Sequence, residues 1–228
     1  MLEAIYAAYS TGWDEIGDGR PPEIAEEAVW LGSVVVGLLP EEPEAKGMLA
    51  LMLYAEARRS ARRDATGAYV PLEQQDTSLW DDSQIALAEK LLHEASASGV
   101  IGRYQLEAAI QSSHTARRMT GAANWPIVVR LYDHLLALTN SPVIELNRAV
   151  ALAEVEGPEA ALSGAIASLA GDKRMLSYQP YWAARGHLLV RAGRAAEAAE
   201  ALTVAIGLTT DDAVRAYLQR QLAGVVGR

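Results

Sequence analysis

Residues 179–212 read QPYWAARGHLLVRAGRAAEAAEALTVAIGLTTDD, a window of 34 residues. Apolar and small side chains recur in it at three- and four-residue spacing, the period of a helix face, and Gly193 stands where one helix would stop in a left-handed turn before another begins. Small residues at Gly186, Ala198 and Ala205 let two antiparallel helices approach closely, while Trp182 and the leucines fill the space between neighbouring pairs. The window therefore predicts a tight helical hairpin, and nearly every other segment of the chain carries the same periodicity.

The hairpin can be laid on the tetratricopeptide pattern. Trp182, Gly186, Leu189, Ala198, Leu202 and Ala205 occupy the tryptophan, glycine, aromatic, alanine, aromatic and alanine positions of that repeat, whereas Arg185 and Thr210 depart from its usual leucine and proline. Upstream, residues 141–169 form a second, less regular hairpin whose turn glycine, Gly157, lies 36 residues before Gly193. Runs of alternating β-branched residues are nearly absent. The expected fold is all-α: a right-handed superhelix of antiparallel helical hairpins, tetratricopeptide-like in its C-terminal third, with a concave face suited to peptides or partner domains.

Outward from the window, helices are predicted near 2–12, 22–39, 43–63, 79–97, 103–118, 125–139, 142–156, 158–170, 180–192, 195–208 and 211–223. Pro43 and Pro142 sit where a first helical turn tolerates proline, Ser141 is a candidate N-cap, and Ser78 to Asp81 has capping-box spacing. Two irregular stretches, 14–21 and 64–77, interrupt the series; the second has a turn at Thr66-Gly67 and a short extended piece at 69–72. Nothing reads as an interdomain linker, so the expectation is one continuous helical domain over residues 1–228, with the hairpins occupying 141–228.

Composition narrows the functions. Half of the 228 residues are hydrophobic and none is cysteine, which excludes disulfides, thiolate metal sites and cysteine nucleophiles and fits a cytoplasmic setting. A formal net charge of -9 argues against nucleic-acid binding by the chain as a whole. The opening, MLEAIYAAYSTGWDE, lacks the basic start of a signal peptide, and the longest apolar run, 29–39, is about half of the roughly 20 residues a membrane helix requires; it reads as a buried helix.

No catalytic constellation is found. His93, His114, His134 and His187 show no metal-ligand spacing, and no nucleophile elbow, phosphate loop or dinucleotide fingerprint is present. Glu26-Glu27, Glu41-Glu42 and Asp211-Asp212 are explained by helix starts and solvation. The chain is expected not to be an enzyme and to need no cofactor or metal. A small-molecule sensor with a groove near Trp80, Tyr104, His114 and Trp125 is the alternative to an interaction module.

One basic stretch stands out. Residues 57–64, ARRSARRD, hold four arginines, Arg58, Arg59, Arg62 and Arg63, whose i, i+1, i+4, i+5 spacing would gather them along one side of a helix. Glu73, Asp76, Asp81 and Asp82 follow, with Gln74, Gln75 and Trp80 among them. Because arginine pairs bidentately with carboxylates and stacks on aromatic rings, an internal network that pins the loop to the preceding helix leads over a partner surface, and both lead over nucleic acid.

Residues 38–81, LLPEEPEAKGMLALMLYAEARRSARRDATGAYVPLEQQDTSLWD, with GRYQLEAAIQSSH at 102–114, WPIVVRLYDHLLALTNSPVIELNRAVALAEVEG at 125–157 and AGRAAEAAEALTVAIGL at 192–208, together resemble the helical C-terminal extension of one group of bacterial extracytoplasmic-function (ECF) sigma factors, members of the sigma-70 superfamily. The resemblance covers nearly the whole chain. It implies a regulatory and protein-interaction role in transcription initiation, with the sigma core domains or RNA polymerase as partners, no direct nucleic-acid contact and no membrane. It also implies that the two sigma core domains lie outside this sequence. Positions matching family-typical polar residues are Arg58, Arg59, Arg62, Gln75, Asp76, Trp80 and Asp81, then Tyr104, Gln105 and His114, then Tyr132, Asp133, Asn147 and Arg148. The sequence departs from the family at Arg103, where proline is common, and at Thr77, where arginine is common.

Overall fold

The computed structural model describes residues 1–14 and 23–227, and among them every regular element is helical. The helices are α1 (Leu2–Asp14), α2 (Glu23–Leu38), α3 (Pro43–Glu56), α4 (Asp82–Ser96), α5 (Arg103–Thr115), α6 (Arg117–Thr120), α7 (Trp125–Thr139), α8 (Pro142–Glu156), α9 (Pro158–Ala161), α10 (Ala167–Leu169), α11 (Lys173–Leu176), α12 (Gln179–Arg191), α13 (Ala195–Leu208) and α14 (Asp212–Val226). Where one continuous domain is expected, the chain gathers into two compact units. Met1–Arg63 with Val70–Asn124 make the first, and Asp64–Tyr69 with Trp125–Arg228 the second. The irregular stretch expected at 14–21 lies, beyond Asp14, outside the described residues.

In the first unit, α3 packs against α1, α2, α4 and α5, and none of its residues is exposed. Gly47 through Tyr54 are buried without interruption. The buried helix is thus α3 and not the apolar run at 29–39. The physical reason lies in two stripes on α2: the small residues Ala25, Ala28, Gly32 and Val35 face inward, while Trp30, Leu31, Val34 and Leu38 face solvent.

A helix buried on all sides needs partners for the polar groups near its ends. At the N-terminal end of α3, Glu44 reaches α5 and accepts the Tyr104 N–H at 2.9 Å and the Gln105 N–H at 3.1 Å. It thereby caps a helix 60 residues away in sequence, and its negative charge sits at the positive end of the α5 dipole. Two glycines make room: a Cβ on Gly102 would stand 2.2 Å from the Glu44 carboxyl carbon, and one on Gly47 would stand 2.7 Å from the Gln105 nitrogen.

At the C-terminal end the helix expected to run to residue 63 stops at Glu56, and Arg59–Arg62 form a 3₁₀ turn. The returning chain causes the change. The Arg58 N–H tightens onto Ala55 O, Asp81 N–H donates to Ala57 O at 2.9 Å, and the Ser60 hydroxyl donates to Leu79 O at 2.7 Å. The extended piece expected at 69–72 is reduced to an isolated bridge at Tyr69, followed by short 3₁₀ turns at Leu72–Gln74 and Thr77–Leu79. In place of the expected capping box, Asp76 caps the second of these turns and Asp81 caps α4.

In the second unit, α12 and α13 form the expected hairpin. Gly193 closes it at φ +74°, and a Cβ on Gly186 would stand 2.9 Å from the Leu202 side chain, so the helices meet there with no space for alanine. Ala198, Ala201, Leu202 and Ala205 are buried along α13. Ser141 occupies the N-cap position of α8 with Pro142 at the first turn, although its side chain makes no capping hydrogen bond. The single helix expected at 158–170 is broken between α9 and α10 by a π segment, Leu162–Ile166, that kinks at Gly164. A further short helix, α11, lies where none is expected, and Asp172 caps it.

Glu44→Ala removes two charge-assisted caps from a half-buried helix end and is expected to lower unfolding free energy by about 2 kcal/mol. Gly102→Ala displaces the same carboxylate, so the double variant should unfold in urea no earlier than Glu44→Ala alone. Additive losses would show that the glycine and the glutamate act independently.

Candidate functional site

The four arginines of the basic stretch are all half-buried. Arg58 donates from Nε to Tyr54 O at 3.2 Å, taking up a carbonyl in the last turn of α3, and from its guanidinium to Gln111 Oε1 at 2.7 Å. Arg59 grips Glu56 with two hydrogen bonds of 2.7 and 2.5 Å, both side chains being about one-tenth exposed. Burial alone would lower the Arg59 pKa; the paired carboxylate more than offsets this and holds it above the ordinary value.

Trp13, at the end of α1, lies under two guanidinium groups. Arg62 sits 4.0 Å and Arg59 4.8 Å from the ring centroid, and Arg62 also donates to Trp13 O at 2.9 Å. The carboxylate and the tryptophan at these guanidinium groups are not the ones expected from the sequence. Glu56 and Trp13 take the places expected for the downstream carboxylates and for Trp80.

Those downstream residues serve different ends. The Asp76 carboxylate accepts from the Ser78 N–H and hydroxyl, and Asp81 from the Ser83 N–H and hydroxyl and the Gln84 N–H. These bonds pull both carboxyls below the usual range, the hydroxyl of the following serine acting most strongly. Glu73 is exposed, while Gln75 is buried and donates to Val70 O. Trp80 is 4% exposed and meets Arg117, whose guanidinium stands 5.2 Å from the ring centroid and donates to Leu72 O at 2.7 Å. Asp82 pairs with Arg118. Arg117 therefore holds the loop at Leu72, and Arg118 fastens the first turn of α4; neither is among the arginines expected to do so.

The residues proposed for a groove divide between the two units. In the first, Tyr104 packs edge-on against Tyr6 with centroids 5.5 Å apart and is buried; Gln105 is buried against Glu44. His114 is half-buried, and burial, with Arg58 and Arg117 nearby, pushes its imidazole down to about 4. In the second unit Arg148 pairs with Asp133, Tyr132 is half-buried and Asn147 is exposed. Trp125 begins α7 in that same unit. His93, His134 and His187 are exposed. Among the described residues no three His, Asp or Glu side chains are grouped so as to hold a metal ion, and no helix is long and apolar enough to cross a membrane.

Comparison with known proteins adds two findings. Residues 1–96, the stretch from α1 through α4, match the model of a family of unknown function, DUF6596. Over 220 residues the chain is 38% identical to an uncharacterized protein of Rhizobium meliloti (strain 1021), a match that covers 96% of this chain and 51% of that protein. The chain thus spans about half the length of the curated relative it matches. No solved structure matches it.

His114 titrates near 6.5 when unperturbed but near 4 in the folded unit. Between those values the unfolded chain binds the extra proton, so stability falls as pH drops through this window, by on the order of 3 kcal/mol at its lower end. His114→Gln should flatten that part of the stability profile measured by urea unfolding. Parallel profiles for the two proteins would show that His114 contributes nothing to the acid limb.

Proposed function

We propose that the chain is a regulatory and protein-interaction domain of a bacterial ECF sigma factor that modulates the activity of the sigma core in transcription initiation. The ordered motifs from residue 38 to residue 208 support this reading, and the unmatched half of the Rhizobium relative is long enough to hold a two-domain core.

The observation that carries an interaction role is the outer stripe of α2. Trp30 is 64% and Leu38 74% exposed, with Leu31 and Val34 between them, a set of large apolar side chains on one solvent-facing helix side. The exposed carboxylates Glu23, Glu27, Glu41 and Glu42 flank it. A promoter-binding core needs local positive charge to hold phosphates. An acid-flanked apolar stripe is complementary to such a surface: it would seat a core helix bordered by lysine and arginine and compete there with DNA. The reading thereby assigns partner contact to α2 and leaves the arginine stretch inside the fold.

The matching sigma core should co-purify with this chain, more weakly at high salt. Leu31→Glu with Leu38→Glu, both at exposed positions, should weaken binding at least about tenfold while leaving the unfolding midpoint unchanged. If the wild-type chain fails to bind the core, or if full-length protein and the core alone support identical transcription, the regulatory reading is lost.

A further inference from the structure

The first unit contains a cleft that no part of the preceding reading uses. It opens between α4 and α5, has a volume of about 450 Å³, and falls within the roughly 300–1,000 Å³ range of small-molecule pockets. Leu92, Leu106 and Ala109 make its apolar wall, Ile101 stands at the rim 66% exposed, and the fully buried Tyr54 ring forms part of the floor. The Tyr54 hydroxyl is buried beside Ser112, and that burial pushes its pKa up to about 12, so it stays protonated.

Apart from the Tyr54 and Ser112 hydroxyls, the polar groups of the lining are mainly acceptors. Glu89 contributes a carboxylate from α4. Gln105 contributes its side-chain oxygen, because Nε2 already donates to Glu44 Oε1 at 3.3 Å and to Val100 O at 2.9 Å. The Ser96 hydroxyl donates to His93 O and keeps its lone pairs. Neither lysine nor arginine lines the cleft. An anion would find hydroxyl donors at Tyr54 and Ser112 but no cation to offset the Glu89 carboxylate, whereas an ammonium would meet acceptors on both walls.

We propose that this cleft binds a small organic cation, an apolar molecule carrying a protonated amine, with the amine on Glu89 and Gln105 and the apolar part against Leu92, Leu106 and Ala109. The site differs in place from a groove at Trp80 and Tyr104, whose side chains are core. It does not depend on the proposed role in transcription, and its test requires no sigma core.

The test compares three probes of one shape: 2-phenylethylamine, 2-phenylethanol and 3-phenylpropanoate. Each is titrated into the chain at about pH 8, where the amine is protonated. Amide chemical-shift changes should map to residues 89–96 and 105–112 and be strongest for the amine. Affinity should fall at least about tenfold for the carboxylate, a difference of about 1.4 kcal/mol. Glu89→Gln, at an exposed position, should weaken the amine about tenfold and leave the alcohol unchanged, and Ala109→Trp should block all three. Equal binding of amine and carboxylate, shift changes elsewhere on the chain, or no binding at millimolar amine would each overturn the assignment.

Discussion

The first unit is organised around a helix with no exposed side. From Gly47 to Tyr54 every residue of α3 is buried, so water is excluded from its flanks and its ends must be satisfied by the chain itself. Leaving buried backbone groups unpaired costs on the order of 1–3 kcal/mol each, enough to decide which sequences tolerate such a helix. At one end the Glu42 side chain accepts the Glu44 N–H and caps α3, and at the other Arg58 takes up the Tyr54 carbonyl. Glu44 and Arg58 also reach α5, at the Tyr104 and Gln105 amides and at Gln111, so α3 and α5 are held at two points along their length.

This constraint explains why a strongly acidic chain concentrates arginine in residues 57–64. Arginine keeps its charge when half-buried, forks onto a carboxylate and lies flat on an indole, and lysine does only part of this. Arg59 uses the fork on Glu56, Arg62 uses the ring of Trp13, and together they fasten α1 to the end of α3. The positive charges also stand at the negative end of the α3 dipole. Local electrostatics and packing thus account for Arg58, Arg59 and Arg62 without phosphate.

Most of the fold was legible in the sequence because helix periodicity and its punctuation are local. Pro43, Pro142, Gly157 and Gly193 mark ends correctly, and Gly186 marks the close approach of α12 and α13. What could not be read was non-local. Glu44 looks like one acid among several near a helix start, and only the folded chain places it 60 residues away at the α5 terminus. Trp13 is 49 residues from Arg62, with no spacing rule to connect them. The run at 29–39 departs from expectation for a different reason: hydropathy reports how apolar a helix is, not which of two apolar stripes meets a neighbour. The end of α3 falls short of the expected residue 63 because Asp81 and Leu79, from beyond the loop, supply the bonds that stop it.

With Arg58, Arg59 and Arg62 engaged in holding α1, α3 and α5 together, the recognition proposed above falls to other surfaces, the outer side of α2 and the cleft between α4 and α5. That division rests on the stretch being internal. A double-mutant cycle of Trp13→Leu and Arg62→Gln, followed by urea unfolding, tests it directly. The structure predicts single losses of roughly 1–3 kcal/mol and a coupling of about 1 kcal/mol. Variants that unfold at the wild-type midpoint with no coupling would contradict it and return the arginines to the surface as a candidate partner site.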